Sequence, residues 1–338
     1  MFNDKSMYND IHLKTIATAA ILVLIIGLIN TDRLKEQAAQ SGGTETPATT
    51  DHHVGIDSSF FIKPSTHAVA PAAPKTLSDI ITADSYLVAD LTTGKVYFQK
   101  DPGIVRSIAS ISKLFSAIVA EKHMDPNVSV TVASSSITGF DATTSPSTIR
   151  PGESFSVRDM LYDMLLVSSN DAATTLADNY ARVTGDANPD SRGDFVSAMN
   201  AAAASLGLDS TSFKDPSGLS SGNVSSADDL FKLAQYLYTK QPDILSIERT
   251  YEYNVATTTE RDAHVFLNID PFVGDPHYVG GKTGRTDAAG ETMLSIFNLP
   301  VGGVPHTIAI IVLHSDQAER QVDSSILVGR VLGALAGQ

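Results

Sequence analysis

Ser110 and Lys113 are the ends of the only Ser-x-x-Lys in the chain, and together they could supply a nucleophile and its base. Three residues apart at the start of a helix, their side chains share one face. A serine hydroxyl attacks carbon well only when a base takes its proton. Lysine can be that base once desolvation or a second cation lowers its pKa. Lys113 directly precedes Leu114 and Phe115, at the edge of an apolar stripe that would desolvate it. Alone, the pair would read as a helix-capping serine and a surface lysine. Two more polar elements argue otherwise: Ser168-Ser169-Asn170 lies 58 residues on, and Lys282-Thr283-Gly284 a further 114. They can serve one acyl-transfer site only if the fold gathers them.

The second element has a rival in Ser221-Gly222-Asn223. That triplet sits in Gly-Leu-Ser-Ser-Gly-Asn, a flexible sequence that reads as a turn. Ser168 and Asn170 instead follow the apolar run Met160 to Val167 and precede Asp171-Ala-Ala, a rigid corner between helices, where catalytic groups are best supported. The third element follows a strand. Its edge can pair with a substrate backbone, its lysine and threonine hydroxyl suit a carboxylate, and Gly284 allows close approach.

Those elements must be carried by a framework, and the sequence outlines one. Tyr86 to Asp90, Thr93-Gly94 and Lys95 to Phe98 read as strand, turn and strand. Ile111, Leu114, Phe115, Ile118 and Val119 recur with helical spacing. Ser156-x-x-Asp159 and Ser226-x-x-Asp229 are capping boxes, the first opening a helix with Met160, Leu161, Met164 and Leu165 inward. Another helix begins after Asn170, and Ser191 to Leu206 is helical, stopping at Gly207. Tyr278 to Gly281, Thr292 to Phe297 and Thr307 to Leu313 are strand-like, and Gln317 to Leu335 closes the chain as a helix. Strands at both ends with helices between predict an α/β chain of the α+β kind, with one antiparallel sheet from both chain ends and a helical middle region.

Residues 77–338 form the expected catalytic domain. Before it come a tail (1–14), an uncharged apolar segment (15–31) and a linker (32–76) rich in Ala, Thr, Ser, Gly and Pro. The apolar segment is near the lower length of a membrane-spanning helix and no small-x-small cleavage site directly follows it, so an uncleaved anchor is expected over a cleaved signal. Phe60-Phe61-Ile62 interrupts the linker with an apolar patch, and His52-His53 reads as a solvated pair. Net charge is −14, which excludes nucleic acid as a partner because its backbone needs a basic face. With no cysteine, there is neither a disulfide framework nor thiolate chemistry.

The three elements, in this order, are shared by penicillin-binding proteins and class A β-lactamases. From about Leu77 to Leu335 the chain resembles the serine D-Ala-D-Ala carboxypeptidases, the low-molecular-mass penicillin-binding proteins. Pro151-Gly-Glu153, Leu166 to Ala173, Asp215-Pro-Ser-Gly-Leu219 and Lys282 to Gly290 look like that family's stretches. The family usually has Pro before Ala-Ser and Thr before Lys; here these positions are Ile108 and Ser112. The resemblance implies a β-lactamase/transpeptidase-like fold, no metal, no cofactor, and an enzyme at the extracytoplasmic face of a bacterial cell membrane, or secreted if cleaved. It implies peptidoglycan stem peptides ending in D-Ala-D-Ala as substrates and β-lactams as covalent inhibitors.

By position, the resemblance makes Ser110 the nucleophile and Lys113 its base, Ser168 the relay to the departing amine, and Asn170 a holder of Lys113 and substrate. Lys282 would add positive potential, Thr283 would bind the terminal carboxylate, and the N–H groups of Ser110 and Arg285 would form the oxyanion hole. Arg320 is a further candidate for the carboxylate. A D,D-endopeptidase would use the same residues. A class A β-lactamase needs a glutamate after Ser-x-Asn to activate water, and none lies between Glu153 and Glu248; Asp215 is the one conceivable stand-in. A catalytically dead wall-binding protein would not need Ser110 and Lys113 intact.

Overall fold

The computed structural model of the protein describes residues 76–137, 148–186 and 188–337. The expected tail, anchor segment and linker, with His52-His53 and Phe60 to Ile62, lie outside the described residues, save for Thr76 at the linker's end. Among the described residues no helix is long and apolar enough to cross a membrane.

Strands β1 (Ser85–Asp90) and β2 (Val96–Lys100) are joined across the Thr93-Gly94 turn. β3 (Arg106–Ser107) leads through a 3-10 turn, Ala109–Ser112, into α1 (Lys113–His123). A ribbon of β4 (Ser129–Thr131) and β5 (Ser154–Ser156) precedes α2 (Val157–Tyr162), which runs through a π-helical turn, Asp163–Val167, towards α3 (Asn170–Thr184). Then come α4 (Ser191–Ser205), β6 (Val224–Ser225), α5 (Ala227–Lys240) and α6 (Pro242–Glu248). A second ribbon, β7 (Glu252–Val255) and β8 (His264–Leu267), leads to β9 (Tyr278–Thr286), β10 (Gly290–Val301), β11 (Val304–Ser315) and α7 (Arg320–Ala336).

The main sheet has the order β2-β1-β11-β10-β9 with every pairing antiparallel, so both chain ends share it as the sequence predicts. β9 is therefore an edge strand. Side chains alternate across the sheet. Leu87, Ala89, Leu294, Ile296, Ala309 and Ile311 face the core under the helical middle, while Val88, Met293, Phe297, Ile308 and Val312 face α7. Leu327, Val331 and Leu335 of α7 cover that second face.

Local chemistry explains most boundaries. Ser156 Oγ accepts from Asp159 N at 3.0 Å and Asp159 returns the contact to Ser156 N, the predicted box. β10 and β11 run longer than the sequence pattern suggests, because Gly302 and Gly303, at φ 59° and 82°, close a tight hairpin between them. Two helices differ from expectation. The segment after Ala109 starts as a 3-10 turn, so the α-helix proper begins at Lys113 and not at Ser110. The helix after Ser156 is α only to Tyr162, although Met164 and Leu165 still point inward through the π turn.

Asp323 of α7 ties the start of β1 to the sheet's outer face. Its carboxylate accepts from Thr82 N, Thr82 Oγ1 and Ala83 N at 2.9–3.0 Å, fully buried. Asp323→Ala should leave these donors unmatched and cost about 2–4 kcal/mol in a urea-denaturation midpoint experiment. A loss below about 0.5 kcal/mol would show that water replaces the carboxylate there.

Candidate active site

The 3-10 turn sets Ser110 at the lip of the helical core, half-buried, with Ile108, Ala109, Ile111 and Leu114 closed off from solvent beneath it. Ala109, immediately before it, is held at φ +45°, a left-handed conformation that costs a non-glycine residue energy and re-aims the next side chain. Lys113 is buried within the same turn. Its Nζ lies 2.8 Å from Ser110 Oγ, 2.7 Å from Asn170 Oδ1 and 2.7 Å from the Ser217 carbonyl.

Those three partners are chemically unequal. Asn170 Oδ1 and the Ser217 carbonyl can only accept. A neutral lysine has two N–H donors and one lone pair, so satisfying both acceptors turns the lone pair towards the Ser110 hydroxyl. Burial pushes the Lys113 pKa well below the ordinary lysine range, and the nearby Lys282 ammonium pushes it further; Asp215, Asp171 and Glu248 oppose the fall. The amine is thus both poised as a base and aimed at one proton.

The π turn delivers the second element. It ends at Ser168 in the left-handed region, φ 63°, which presents Ser168; Ser169 then caps α3, which starts at Asn170. Such π turns recur at functional sites because they shift a residue without breaking the helix. Ser169 caps α3 by accepting from Ala172 N at 3.0 Å, fixing Asn170 in the first turn. Both Ser168 and Asn170 are buried.

Lys282-Thr283-Gly284 lies inside β9, not after it as the sequence pattern suggests: the strand continues to Thr286, paired with β10. Sequence periodicity stops at Gly281 because Lys282 is polar, yet it is buried. Gly284 lets the strand lie against the Ala109–Ser112 turn. A Cβ there would fall 2.9 Å from Ser110 N and 3.0 Å from the Ile108 carbonyl. Ser110 and Arg285, the two residues that the family pattern gives the oxyanion hole, thus belong to adjoining backbone. Arg320 reaches the same strand. It donates to the Gly284 carbonyl at 3.0 Å and pairs with buried Glu291, which also meets Arg285 at 3.5 Å.

Several groups that matter here have no side-chain signature in the sequence. The Ser217 carbonyl is one, since backbone acceptors are invisible to motif reading. Asn223 is another: expected as part of a flexible turn, it is fully buried, accepts from Lys214 N and Asp215 N, and donates to Ser112 Oγ and the Asp215 carbonyl. It clamps the 215–219 loop to the Ala109–Ser112 turn. Asp215 is not a water-activating stand-in. Its oxygens accept from the N–H groups of Ser217, Gly218, Leu219 and Ser220 and from Ser217 Oγ. Burial raises its pKa, but the bonds from Ser217, Ser220 and Gly218 outweigh burial and lower it, so it is a loop organiser and a poor base.

Comparison with known proteins gives a consistent picture. Residues 68–297 match the family described as D-alanyl-D-alanine carboxypeptidase, peptidase S11. The chain is 35% identical over 254 residues to the D-alanyl-D-alanine endopeptidase of Escherichia coli K12, covering 69% of this chain and 74% of that one. A crystal structure of a D-alanyl-D-alanine carboxypeptidase from Mycobacterium tuberculosis H37Rv is similar at TM-score 0.63 and 26% identity, over 78% of this chain and 95% of the other. Penicillin-binding protein D2 of Listeria monocytogenes, solved in its cefotaxime-bound form, is similar at TM-score 0.61 and 25% identity, over 78% of this chain and 100% of the other.

The tight seat of the 215–219 loop is directly testable. Gly218 has φ +92°, and a Cβ on it would sit 2.0 Å from the Ala109 carbonyl and 2.9 Å from Ser110 N. Gly152 has φ +90° with open space around it. Gly218→Ala and Gly152→Ala should share a backbone penalty of about 1 kcal/mol, but only the former should slow labelling of Ser110 by a fluorescent penicillin, by tenfold or more (about 1.4 kcal/mol). Equal labelling rates would mean that the loop yields without moving the nucleophile.

Proposed function

The chain belongs to the peptidase S11 family of D-alanyl-D-alanine carboxypeptidases, and on that premise we propose that it removes the terminal D-Ala from peptidoglycan stem pentapeptides through an acyl-enzyme on Ser110. The observation that carries this reading is Lys113 Nζ, buried and 2.8 Å from Ser110 Oγ, with two acceptor-only partners on its other sides.

In this reading Lys113 takes the Ser110 hydroxyl proton as Oγ bonds to the penultimate D-Ala carbonyl carbon. The oxygen charge is received by the N–H groups of Ser110 and Arg285, a device worth about 3–4 kcal/mol per donor. The tetrahedral species then expels the D-Ala amine, which takes the proton back through Ser168. Water repeats the sequence on the ester, freeing the shortened peptide and Ser110. Thr283 and the Lys282 ammonium receive the terminal carboxylate, with Arg320 acting through the Gly284 carbonyl and Glu291 or on the carboxylate itself.

β-Lactams fit the same path, and the cefotaxime-bound Listeria neighbour supports their acylating Ser110. With no glutamate between Glu153 and Glu248, and Asp215 occupied by its own loop, release of the penicilloyl ester lacks the separate water-activating carboxylate of a class A β-lactamase. That supports a penicillin target over a β-lactamase. The E. coli relative named an endopeptidase favours one second reading, cleavage of cross-linked peptides by the same residues. Extracytoplasmic placement belongs to the proposal too, with residues 15–31 as anchor or signal and 77–338 as catalytic domain, supported by the uncharged apolar stretch and by where stem peptides occur.

Incubating the protein with a stem pentapeptide should release free D-Ala, read by mass, and Ser110→Ala with its fold retained should release none. Release by that variant at the wild-type rate sinks the assignment. Faster splitting of a cross-linked dimer than trimming of the pentapeptide would make the protein an endopeptidase.

Lys113→Arg separates base from charge. Arginine keeps its proton near neutral pH, so acylation should fall by about 10²–10⁴-fold, the usual worth of a general base. In the wild type the active form is deprotonated, so activity is lost as pH falls through the Lys113 pKa, and that limb should lie well below the ordinary lysine range. A variant within about tenfold of wild type, roughly 1.4 kcal/mol, would make the lysine purely electrostatic.

A further inference from the structure

At the end of the β9–β10 hairpin a buried carboxylate stands between two arginines. Glu291 is 5% exposed and lies directly opposite Arg285 in the β9–β10 pairing. Its Oε1 is 3.5 Å from Arg285 Nε, and its Oε2 pairs with Arg320 Nη1. That same Nη1 donates to the Gly284 carbonyl at 3.0 Å. A guanidinium Nη carries two hydrogens, so one goes to the carbonyl and the other to the carboxylate. The planar fork of Arg320 is then held in a single orientation.

Arg320 would not take this place unaided. It opens α7, and the dipole of a helix disfavours a cation at its N-terminus. Burial lowers its pKa; Glu291 is the strongest opposing influence, Asp270 the next, and Arg285 adds to the fall. Glu291 in turn sits at a bulge. From Glu291 to Met293 β10 advances two residues, while their partners on β11, Ser315 and Val312, are three apart, with His314 between them at φ 59°. Bulges re-aim side chains and recur beside active sites. The register of the sheet, an ion pair and a backbone acceptor therefore converge on one guanidinium.

We propose that Glu291 is a positioning residue of acyl transfer: by holding Arg320 on the Gly284 carbonyl, it fixes and polarises the peptide unit that ends in the Arg285 N–H of the oxyanion hole. This rests on the acyl-enzyme reading above, oxyanion donors included. The link is the rigidity of the peptide. Across a trans peptide the C=O and N–H share a plane and point in opposite directions, so a donor that pins the Gly284 oxygen also aims the Arg285 hydrogen. A cation on the oxygen also draws electron density from the nitrogen, which makes the N–H a stronger donor. The Arg285 side chain, tied to Glu291 Oε1, steadies the same unit from its other end. An oxyanion develops only on the way to the tetrahedral species. The gain therefore falls on the acylation step and not on substrate binding. Arg320 then serves the oxyanion hole, and the substrate carboxylate is left to Thr283 and Lys282.

The test follows acylation of the full chain by two donors: a fluorescent penicillin, which carries a carboxylate, and an N-acyl-D-alanine thioester whose leaving thiol carries none. Failure of both to acylate the wild type would defeat the acyl-enzyme reading itself. Given acylation, Glu291→Gln should lower the rate constant at saturation about tenfold, or about 1.4 kcal/mol, for both donors alike. That is less than the loss of about 10²–10³-fold when an oxyanion donor is removed outright, because the N–H is weakened and not deleted. The half-saturating concentration should move by less than about twofold. Affinity for a boronic-acid analogue, whose adduct with Ser110 is tetrahedral and anionic, should fall by the same factor as the rate, which a merely structural role would not produce. A loss confined to the penicillin would give Glu291 and Arg320 to the carboxylate and overturn the proposal. So would a loss in half-saturation alone, an unmoved boronate affinity, or a saturated rate within about twofold of wild type. Should Glu291→Gln not fold, Arg320→Lys carries the test. It keeps the charge but lacks the fork that joins carbonyl to carboxylate, so the same pattern is expected and the same results overturn the proposal.

Discussion

A buried amine whose charge burial disfavours, held in one orientation by its partners, is the constraint on which the rest of this site depends. Fully desolvating a lysine costs several kcal/mol in its charged form, and shedding the proton avoids that cost. Neutrality leaves the nitrogen with two donors and a lone pair, and the fold must supply two acceptors in the right places. It takes them from segments 57 and 104 residues away from Lys113, the start of α3 and the 215–219 loop. Three distant parts of the chain are thus fixed by one nitrogen.

Each part is in turn held by buried polar bonds. Asp215 gathers the N–H groups of its own loop, and Asn223 ties that loop to Ser112. The capped start of α3 and the π turn before it fix Ser168 and Asn170. Glu291 and Arg320 brace the Gly284 carbonyl from the far side of the sheet. These bonds are worth little singly but are expensive to break where a buried partner would be left unmatched. Rigidity of the site comes from that asymmetry.

The sheet adds a second constraint. An edge strand normally invites unwanted pairing. Here β9 keeps its edge next to the Ala109–Ser112 turn, with glycine at 284 removing the one side chain that would hold the two apart. The same strand places Lys282, buried, beside the helical core.

Much of this was legible in the sequence, for physical reasons that can be stated. Ser110 with Lys113 is a local pair, so spacing alone puts both on one face. The capping box at Ser156, the serine cap at Ser226 and the alternating or helical apolar spacing are local as well, and they outline a sheet drawn from both ends around a helical middle. Tertiary structure decided what depends on distant segments or on backbone atoms. Lys282 looked like the residue after a strand because a lysine inside one is unexpected; pairing with β10 carries the strand on to Thr286 and buries it. Asn223 looked like a turn residue because its side-chain partners, Ser112, Lys214 and Asp215, lie elsewhere in the chain. Ser217 contributes a carbonyl, which every residue has. Asp215 offered a carboxylate of the right type, but only the folded loop reveals that its oxygens are already filled. Residue type and spacing fixed which groups could react; the three-dimensional arrangement decided which of them meet, because Asn170 Oδ1 and the Ser217 carbonyl reach Lys113 only in the fold.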